Sequence, residues 1–473
     1  MKQNPSRNDK EEIRELLRLF ENLKNGRSHS FLEEESFEKL IDHFDDKEDI
    51  PQALQAAELG IEIYPYSSAL HIKKADLLLA TRQYKAALDV LDQAELLDSN
   101  DIDLYILRTD AYLALDQQQK AVELLEEALQ LFSGEERVSL LFELADVYDD
   151  YEEFEKVFDC LKLILEEEPT NEEALYKICF WTDFTGRNEE SIKLHLNIIN
   201  DHPYSELAWF NLGAAYQGLK LYEKSIDAYM YCIAIDEKFD YAYRNIGDAY
   251  IRLRKYKDAI EMLEKVLELS RPEEVIHEAI GYCYDRMGQY AQARFHYRKA
   301  SHMNPEDSKL YYKIACTYIN DGQYESAIKQ MQQALRIHRL QPDYNLAMGM
   351  ALVEIGEYKT AIEHFANVIK ARPKNVKGWS AMLECMLKAS ILENADEYAV
   401  AAYETTGGKP IFIFYRAAIF FATGKTKQAI TQLEYAMSKA PKLIKKLIEL
   451  QPRLLQHPQV VDLIARYKRS RSL

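Results

Sequence analysis

The chain has 473 residues and a formal net charge of −19, with 47% hydrophobic and 29% charged residues, a balance that supports a packed core and excludes a disordered polyelectrolyte. Glycine (16) and proline (13) are scarce while tyrosine (32) is abundant, so loop-rich sandwiches and barrels give way to long helices with tight connections. Residues 1–200 carry 21 Lys and Arg against 46 Asp and Glu, an acidic front that repels phosphate backbones and disfavours nucleic-acid binding.

The N-terminal run MKQNPSRNDKEEIRELL has no apolar stretch of the kind a signal peptide needs. No window offers about 18 uninterrupted apolar residues, so no membrane span is expected. The six cysteines contain no CxxC pair, which fits a reducing, cytoplasmic location. Lys10–Leu23 reads as a helix, and residues 1–33 as an N-terminal capping segment.

From residue 34 onward a 34-residue period takes over. Trp209-x-x-Leu212-Gly213-x-x-Tyr216 aligns with Tyr243-x-x-Ile246-Gly247-x-x-Tyr250, then with His277-x-x-Ile280-Gly281-x-x-Tyr284 and Tyr311-x-x-Ile314-Ala315-x-x-Tyr318. Downstream of the third copy come Ala293, Tyr297, Ala300 and Pro305. This pattern resembles the tetratricopeptide repeat: W-x-x-L-G-x-x-Y, then A-x-x-x-F-x-x-A, then P. In that register, repeats begin at Glu34, Ser68, Ile102, Val138, Glu172, Glu206, Asp240, Glu274, Ser308, Pro342, Val376 and Pro410. Twelve repeats thus fill residues 34–441, with one two-residue insertion near Ser133-Gly134.

Positions 4, 7, 8 and 11 of each repeat share one face of a first helix. Position 8 is small (Gly213, Gly247, Gly281, Gly349) where a second helix crosses closely. Positions 20 and 27 of that helix are small as well, for example Ala87 and Ala94. Glycines at position 15 (Gly186, Gly288, Gly322, Gly356, Gly424) suit a left-handed turn between the helices, and prolines at position 32 stop the second helix. A lone repeat cannot bury its apolar face, so neighbours must stack. The expected fold is all-α, a solenoid of stacked antiparallel helix pairs. The resemblance implies a right-handed superhelix whose first helices line a concave groove. Residues 442–473 read as basic C-terminal capping helices and tail, with eight Lys and Arg against Glu449 and Asp462. That excess also offers a route to self-association.

Catalytic signatures are missing. Thr423-Gly424-Lys425-Thr426 imitates the end of a phosphate loop, but Ile419 stands where its first glycine belongs. The histidines show no metal-ligand spacing, so neither catalytic residue, metal nor cofactor is expected, and the chain reads as non-enzymatic.

The family's ligand-facing positions on the first helix are 2, 5, 9, 12 and 13. Position 5 of repeat one is Glu38, and position 9 reads Asp42, Asp76, Asp110 and Asp146 through the first four repeats. Stacking would set these aspartates in line, a repulsive arrangement that a cationic partner relieves; a solvated face kept for solubility is the alternative. Phe142, Tyr176, Phe180, Phe184 and Phe210 then occupy groove positions, either as anchors for a bound peptide or as packing between repeats. Farther on, Arg244 and Asp248 make the groove mixed. Arg244 with Asp248 also departs from the Lys and Asn of the family's carboxylate clamp, which disfavours a grip on acidic chaperone tails. The resulting expectation is a scaffold or adaptor whose acidic groove binds a basic protein or peptide. The alternative is an assembly or chaperone-like factor that holds a basic client such as a ribosomal protein.

Overall fold

The computed structural model describes residues 7–25 and 31–469. Among them all regular structure is helical: an N-terminal helix (Arg7–Lys24), paired helices from Glu34 to Lys439, and short helical turns and helices to Arg469. Residues 1–6 and 26–30 of the expected N-terminal cap lie outside the described residues, as does Arg471 of the basic tail. The chain divides into two compact units, residues 1–237 and 238–473. The first unit holds repeats one to six, and the second holds repeats seven to twelve with the C-terminal helices.

Local chemistry starts and stops the helices. The first helix of several repeats begins after a capping side chain that satisfies a free amide. The Ser67 hydroxyl accepts from Leu70 N–H at 3.2 Å, and the Asn171 carbonyl oxygen from Ala174 N–H at 3.0 Å. The Asn375 side-chain oxygen likewise accepts from Gly378 N–H at 3.0 Å. Between first and second helix the chain reverses through one residue at positive φ. Gly186, Gly288, Gly322, Gly356 and Gly424 take that role, but so do Glu48, Arg82, Asp116, Glu152, Lys220, Arg254 and Ser390. All twelve occupy repeat position 15. The left-handed turn is therefore imposed by the packing of the two helices even where a side chain opposes it.

Position 8 is where those helices come closest. A Cβ added at Gly349 would lie 2.5 Å from Cε1 of Phe365, and one at Gly281 would lie 2.7 Å from Cδ1 of Tyr297. Phe365 and Tyr297 are themselves fully enclosed, so neither ring has room to retreat. The small residues at positions 20 and 27 are buried on the other side of the crossing, as Ala327 and Ala334 show.

Two repeats depart from the pattern. The first helix of repeat four begins at Glu135, three residues ahead of Val138, after Gly134 at φ 63°. The second helix of repeat eleven begins at Ala395 after a second left-handed residue, Asn394, so this pair is joined by a longer turn than its neighbours. In the first unit, Leu16 and Phe20 of the N-terminal helix share a core with Phe37, Leu40 and Ala53 of repeat one. In the second, Leu447, Leu454, Val460 and Leu463 share a core with Phe414 and Leu433 of repeat twelve.

Gly349→Ala is expected to lower stability by about 1–3 kcal/mol, the usual cost of forcing an extra carbon into a filled core. Urea denaturation followed by helical circular dichroism measures it; an unchanged midpoint would show that the helices do not need this close approach.

Candidate functional site

The first helices of repeats one to four run beside one another in the first unit, which brings positions 5, 6 and 9 of successive repeats onto one face. Asp42, Asp76, Asp110 and Asp146 are all exposed there, and Glu38 is half-buried. Position 6 reaches back toward the preceding repeat. Lys73 pairs with Asp42. Lys177 lies 3.6 Å from Asp146 and 2.9 Å from Glu173. Between these two lysines the corresponding residues are Leu107 and Glu143. Among the described residues no ion pair reaches Asp76, Asp110 or Glu143.

The charge at these three residues is correspondingly costly. Asp76 and Asp110 are exposed as residues and Glu143 is half-buried, yet the flanking helices remove enough water to raise all three carboxyls from the ordinary carboxylate range. For Asp76 the burial is reinforced by Asp45, Asp103 and Asp42, against Lys73. For Asp110 it is reinforced by Asp76, and for Glu143 by Asp110 and Asp146, against Lys177. Glu38 is raised in the same way, by burial and then by Glu34, Asp42 and Glu35, against Lys73. Glu143 was absent from the sequence-derived site because position 6 is not among the family's ligand positions.

The aromatic residues separate into two groups. Phe142 is half-buried beneath the ammonium of Lys177, 5.1 Å from its ring centre, and Phe210 is half-buried against Tyr229 at 5.4 Å. Tyr176, Phe180 and Phe184 form the other group, one turn apart on the first helix of repeat five. They are 62%, 60% and 56% exposed. Phe154 and Trp181 complete a cluster with Phe180 and Phe184: Phe154 stacks on Trp181 at 5.3 Å and meets Phe184 edge-on at 4.8 Å, while Phe180 meets Trp181 at 4.9 Å.

Repeat five has its own geometry. Its first helix packs against that of repeat six more than against its own second helix. A polar core accompanies this shift: the Asn211 amide donates to Leu175 C=O at 2.8 Å and faces His195 Nε2 at 3.2 Å. His195 Nδ1 lies 2.7 Å from Ser191 C=O. Burial lowers His195 to about 4, so the ring is neutral near pH 7 and acts as a structural hydrogen-bonding group.

Arg244 and Asp248 belong to the second unit and are engaged there. Arg244 Nη2 meets Glu273 at 2.7 Å, and Asp248 meets Arg252 at 3.5 Å. The six cysteines are unpaired. Burial pushes Cys160, Cys232 and Cys283 up to about 12, and Cys179 and Cys385 to about 11. Little thiolate exists near neutral pH, which leaves these five as packing groups and not nucleophiles. No helix among the described residues is long and apolar enough to cross a membrane.

Two family profiles match the chain. One is described as "Tetratricopeptide repeat protein 21 C-terminal ARM domain" and covers residues 214–347; the other, "Tetratricopeptide repeat", covers residues 342–375. No curated protein matches. Among solved structures, the chain is similar to a repeat protein from Cytophaga hutchinsonii at 17% identity, over 54% of this chain and 99% of that one, with a TM-score of 0.45. It is also similar to YrrB, described as a tetratricopeptide protein with an unusual peptide-binding site. That match has 18% identity, covers 40% of this chain and 96% of YrrB, and has a TM-score of 0.36. A third similarity is to the Cut9–Hcn1 assembly of APC/C, at 12% identity over 85% of this chain and 97% of that one, with a TM-score of 0.34. Likeness at this level identifies no partner. Both profiles fall on tandem helix pairs, so residues 214–375 carry tetratricopeptide repeats, and helix pairs of the same 34-residue period run on either side of them.

The raised carboxyls make a pH prediction. A carboxyl whose folded pKa lies above its unfolded value binds its proton more readily in the folded chain. Its contribution to stability is therefore greatest at low pH and is lost as pH rises from the ordinary carboxylate range through the raised folded value. Asp110→Asn is expected to stabilise repeat three at pH 7 and to flatten this part of the pH dependence. Hydrogen exchange of Ile102–Ala114 at pH 5 and pH 7 reads it out; equal protection in both proteins at both pH values would contradict it.

Proposed function

We propose that this protein is a non-enzymatic scaffold or adaptor, and that the first-helix face of repeats one to six binds a basic segment of a protein partner. The observation that carries the reading is the run Asp76, Asp110 and Glu143, three carboxyls raised by burial and mutual repulsion with no cation paired to them. It stands between Lys73 and Lys177, which show how an ammonium is held on this face. A partner's lysine or arginine supplies the missing charge. Exposed Phe180 and Phe184 then offer apolar surface for side chains that flank the basic residues.

Charge and aromatic surface divide the work. The carboxyls speed encounter and set the preference for cations, an effect that salt screens. The rings contribute burial, which salt does not weaken. Six unpaired thiols fit residence in the reducing cytoplasm.

A lysine-rich fluorescent peptide with one phenylalanine or leucine tests the proposal by anisotropy. The triple variant Asp76→Asn, Asp110→Asn, Glu143→Gln is expected to bind it at least about tenfold more weakly at low salt, with the difference shrinking at high salt. Phe180→Ser with Phe184→Ser is expected to weaken binding at every salt concentration. Affinity unchanged in both variants would refute the site.

A further inference from the structure

The second unit contains a cavity of about 500 Å³ whose charge is the reverse of the acidic face. It is lined by the second helix of repeat eight, Tyr290–Met303, and by Tyr318 of repeat nine, and no carboxylate lines it. Phe295, Arg298 and Lys299 hold positions 22, 25 and 26 of repeat eight, and Tyr318 holds position 11 of repeat nine. None of these is a ligand-facing position of the family. In a chain of net charge −19, this helix carries Arg294, Arg298 and Lys299 and neither Asp nor Glu.

Arg294 is the built part of the site. Repeats six, seven, nine and ten place isoleucine at its position 21 (Ile226, Ile260, Ile328 and Ile362), whereas repeat eight buries a guanidinium there. That guanidinium meets Asp321 at 2.6 Å, donates to Thr317 C=O at 3.4 Å and lies over the Tyr318 ring, 4.4 Å from its centre. A buried charge is costly compared with a hydrocarbon, and this one holds Tyr318 against the cavity. The Tyr318 hydroxyl accepts from Arg298, so the phenol keeps its own proton to donate to a ligand. Lys299 lies over the Phe295 ring at 4.6 Å. Arg298, Lys299 and Phe295 are all exposed, and among the described residues no ion pair reaches Arg298 or Lys299. A guanidinium, an ammonium and a phenol thus line one cavity with no anion to balance the two cations.

A phosphate monoester matches this donor set. It carries about −1.5 to −2 charges near pH 7 and three strong acceptor oxygens, one for each donor, whereas a carboxylate carries a single charge on two oxygens. The exposed walls also bear on the source. Small-molecule pockets enclose most of their ligand, which this open cavity does not, while a phosphate borne on a protein chain lays its neighbouring residues on Phe295. We propose that the cavity binds a phosphorylated side chain of a protein partner. Arg298 and Lys299 take the phosphate, the Tyr318 hydroxyl adds a hydrogen bond, and Arg294 positions Tyr318. The site does not rest on the acidic face, from which it differs in residues and in the charge it selects.

Anisotropy with the full chain and a fluorescent phosphoseryl peptide, flanked by leucine and otherwise uncharged, tests the proposal. The phosphopeptide is expected to bind at least about tenfold more tightly than its unphosphorylated and its Ser→Glu counterparts. Arg298→Gln with Lys299→Gln is expected to erase that preference while leaving binding of the lysine-rich peptide intact. Tyr318→Phe, which removes one oxygen, is expected to weaken phosphopeptide binding about threefold and carries the test if the double variant loses helicity. Equal affinity for the phosphopeptide and either counterpart overturns the proposal, as does a preference undiminished in both variants. Inorganic phosphate bound as tightly as the phosphopeptide overturns it as well, because the cavity then takes the free anion. Displacement by an equal concentration of single-stranded oligonucleotide also overturns it, in favour of nucleic-acid phosphates.

Discussion

Twelve times the chain reverses between two helices with the residue at repeat position 15 at positive φ, and the rest of the structure depends on that constraint. Seven of those residues are not glycine, among them Arg82, Lys220 and Arg254. Each accepts a backbone conformation costing on the order of 1 kcal/mol, because the reversal lets position 8 of the first helix meet position 24 of the second. Gly281 against Tyr297 and Gly349 against Phe365 show how tight that meeting is. Once the crossing is fixed, each first helix presents the same positions to the same side, and one repeat can address the next.

Function on such a frame is a matter of which residues fall in register. Position 6 reaches the preceding repeat, so a lysine there neutralises an acid one repeat back, as Lys73 does for Asp42 and Lys177 for Asp146. Lys313 does the same for Glu278 in the second unit. Where leucine and glutamate replace lysine, in repeats three and four, Asp76, Asp110 and Glu143 have no ion pair among the described residues. Partial removal of water, and then Coulomb repulsion, raises their carboxyls together. The charge that remains is a property of the register and not of any single helix.

The 34-residue period, the small residues at the crossing and the left-handed turn at position 15 could be read directly from the chain, since each follows from a local steric need that repeats. Five of the turns announced themselves by glycine; the other seven were visible only by position, because a glutamate or an arginine carries no signature of positive φ. The acidic line Asp42, Asp76, Asp110 and Asp146 was legible for the same reason of register. What hid was pairing between repeats. The roles of Lys73, Lys177 and Glu143 depend on distances across neighbouring helices, which a one-dimensional pattern does not contain. The aromatic positions looked alike in sequence, yet the packing of repeat five leaves Tyr176, Phe180 and Phe184 exposed while Phe142 and Phe210 are half-buried. Nor did the amphipathic pattern of Ile444–Leu450 reveal that this helix lies on the first-helix face of repeats eleven and twelve, where Leu447 shares a core with Phe414 and Lys446 reaches Glu384.

The central proposal is that a basic partner segment lies along the first-helix face of repeats one to six, with its cations on repeats two to four and its apolar side chains on repeat five. Photo-crosslinking from a lysine-rich peptide with a reactive group at each end tests it most directly. The account predicts adducts on Ser68–Ala80, Ile102–Ala114, Glu135–Asp150 and Glu172–Thr185, arranged in order along the peptide and suppressed by salt. Adducts concentrated on the second helices, such as Tyr84–Leu97 and Gln118–Ala128, would contradict it.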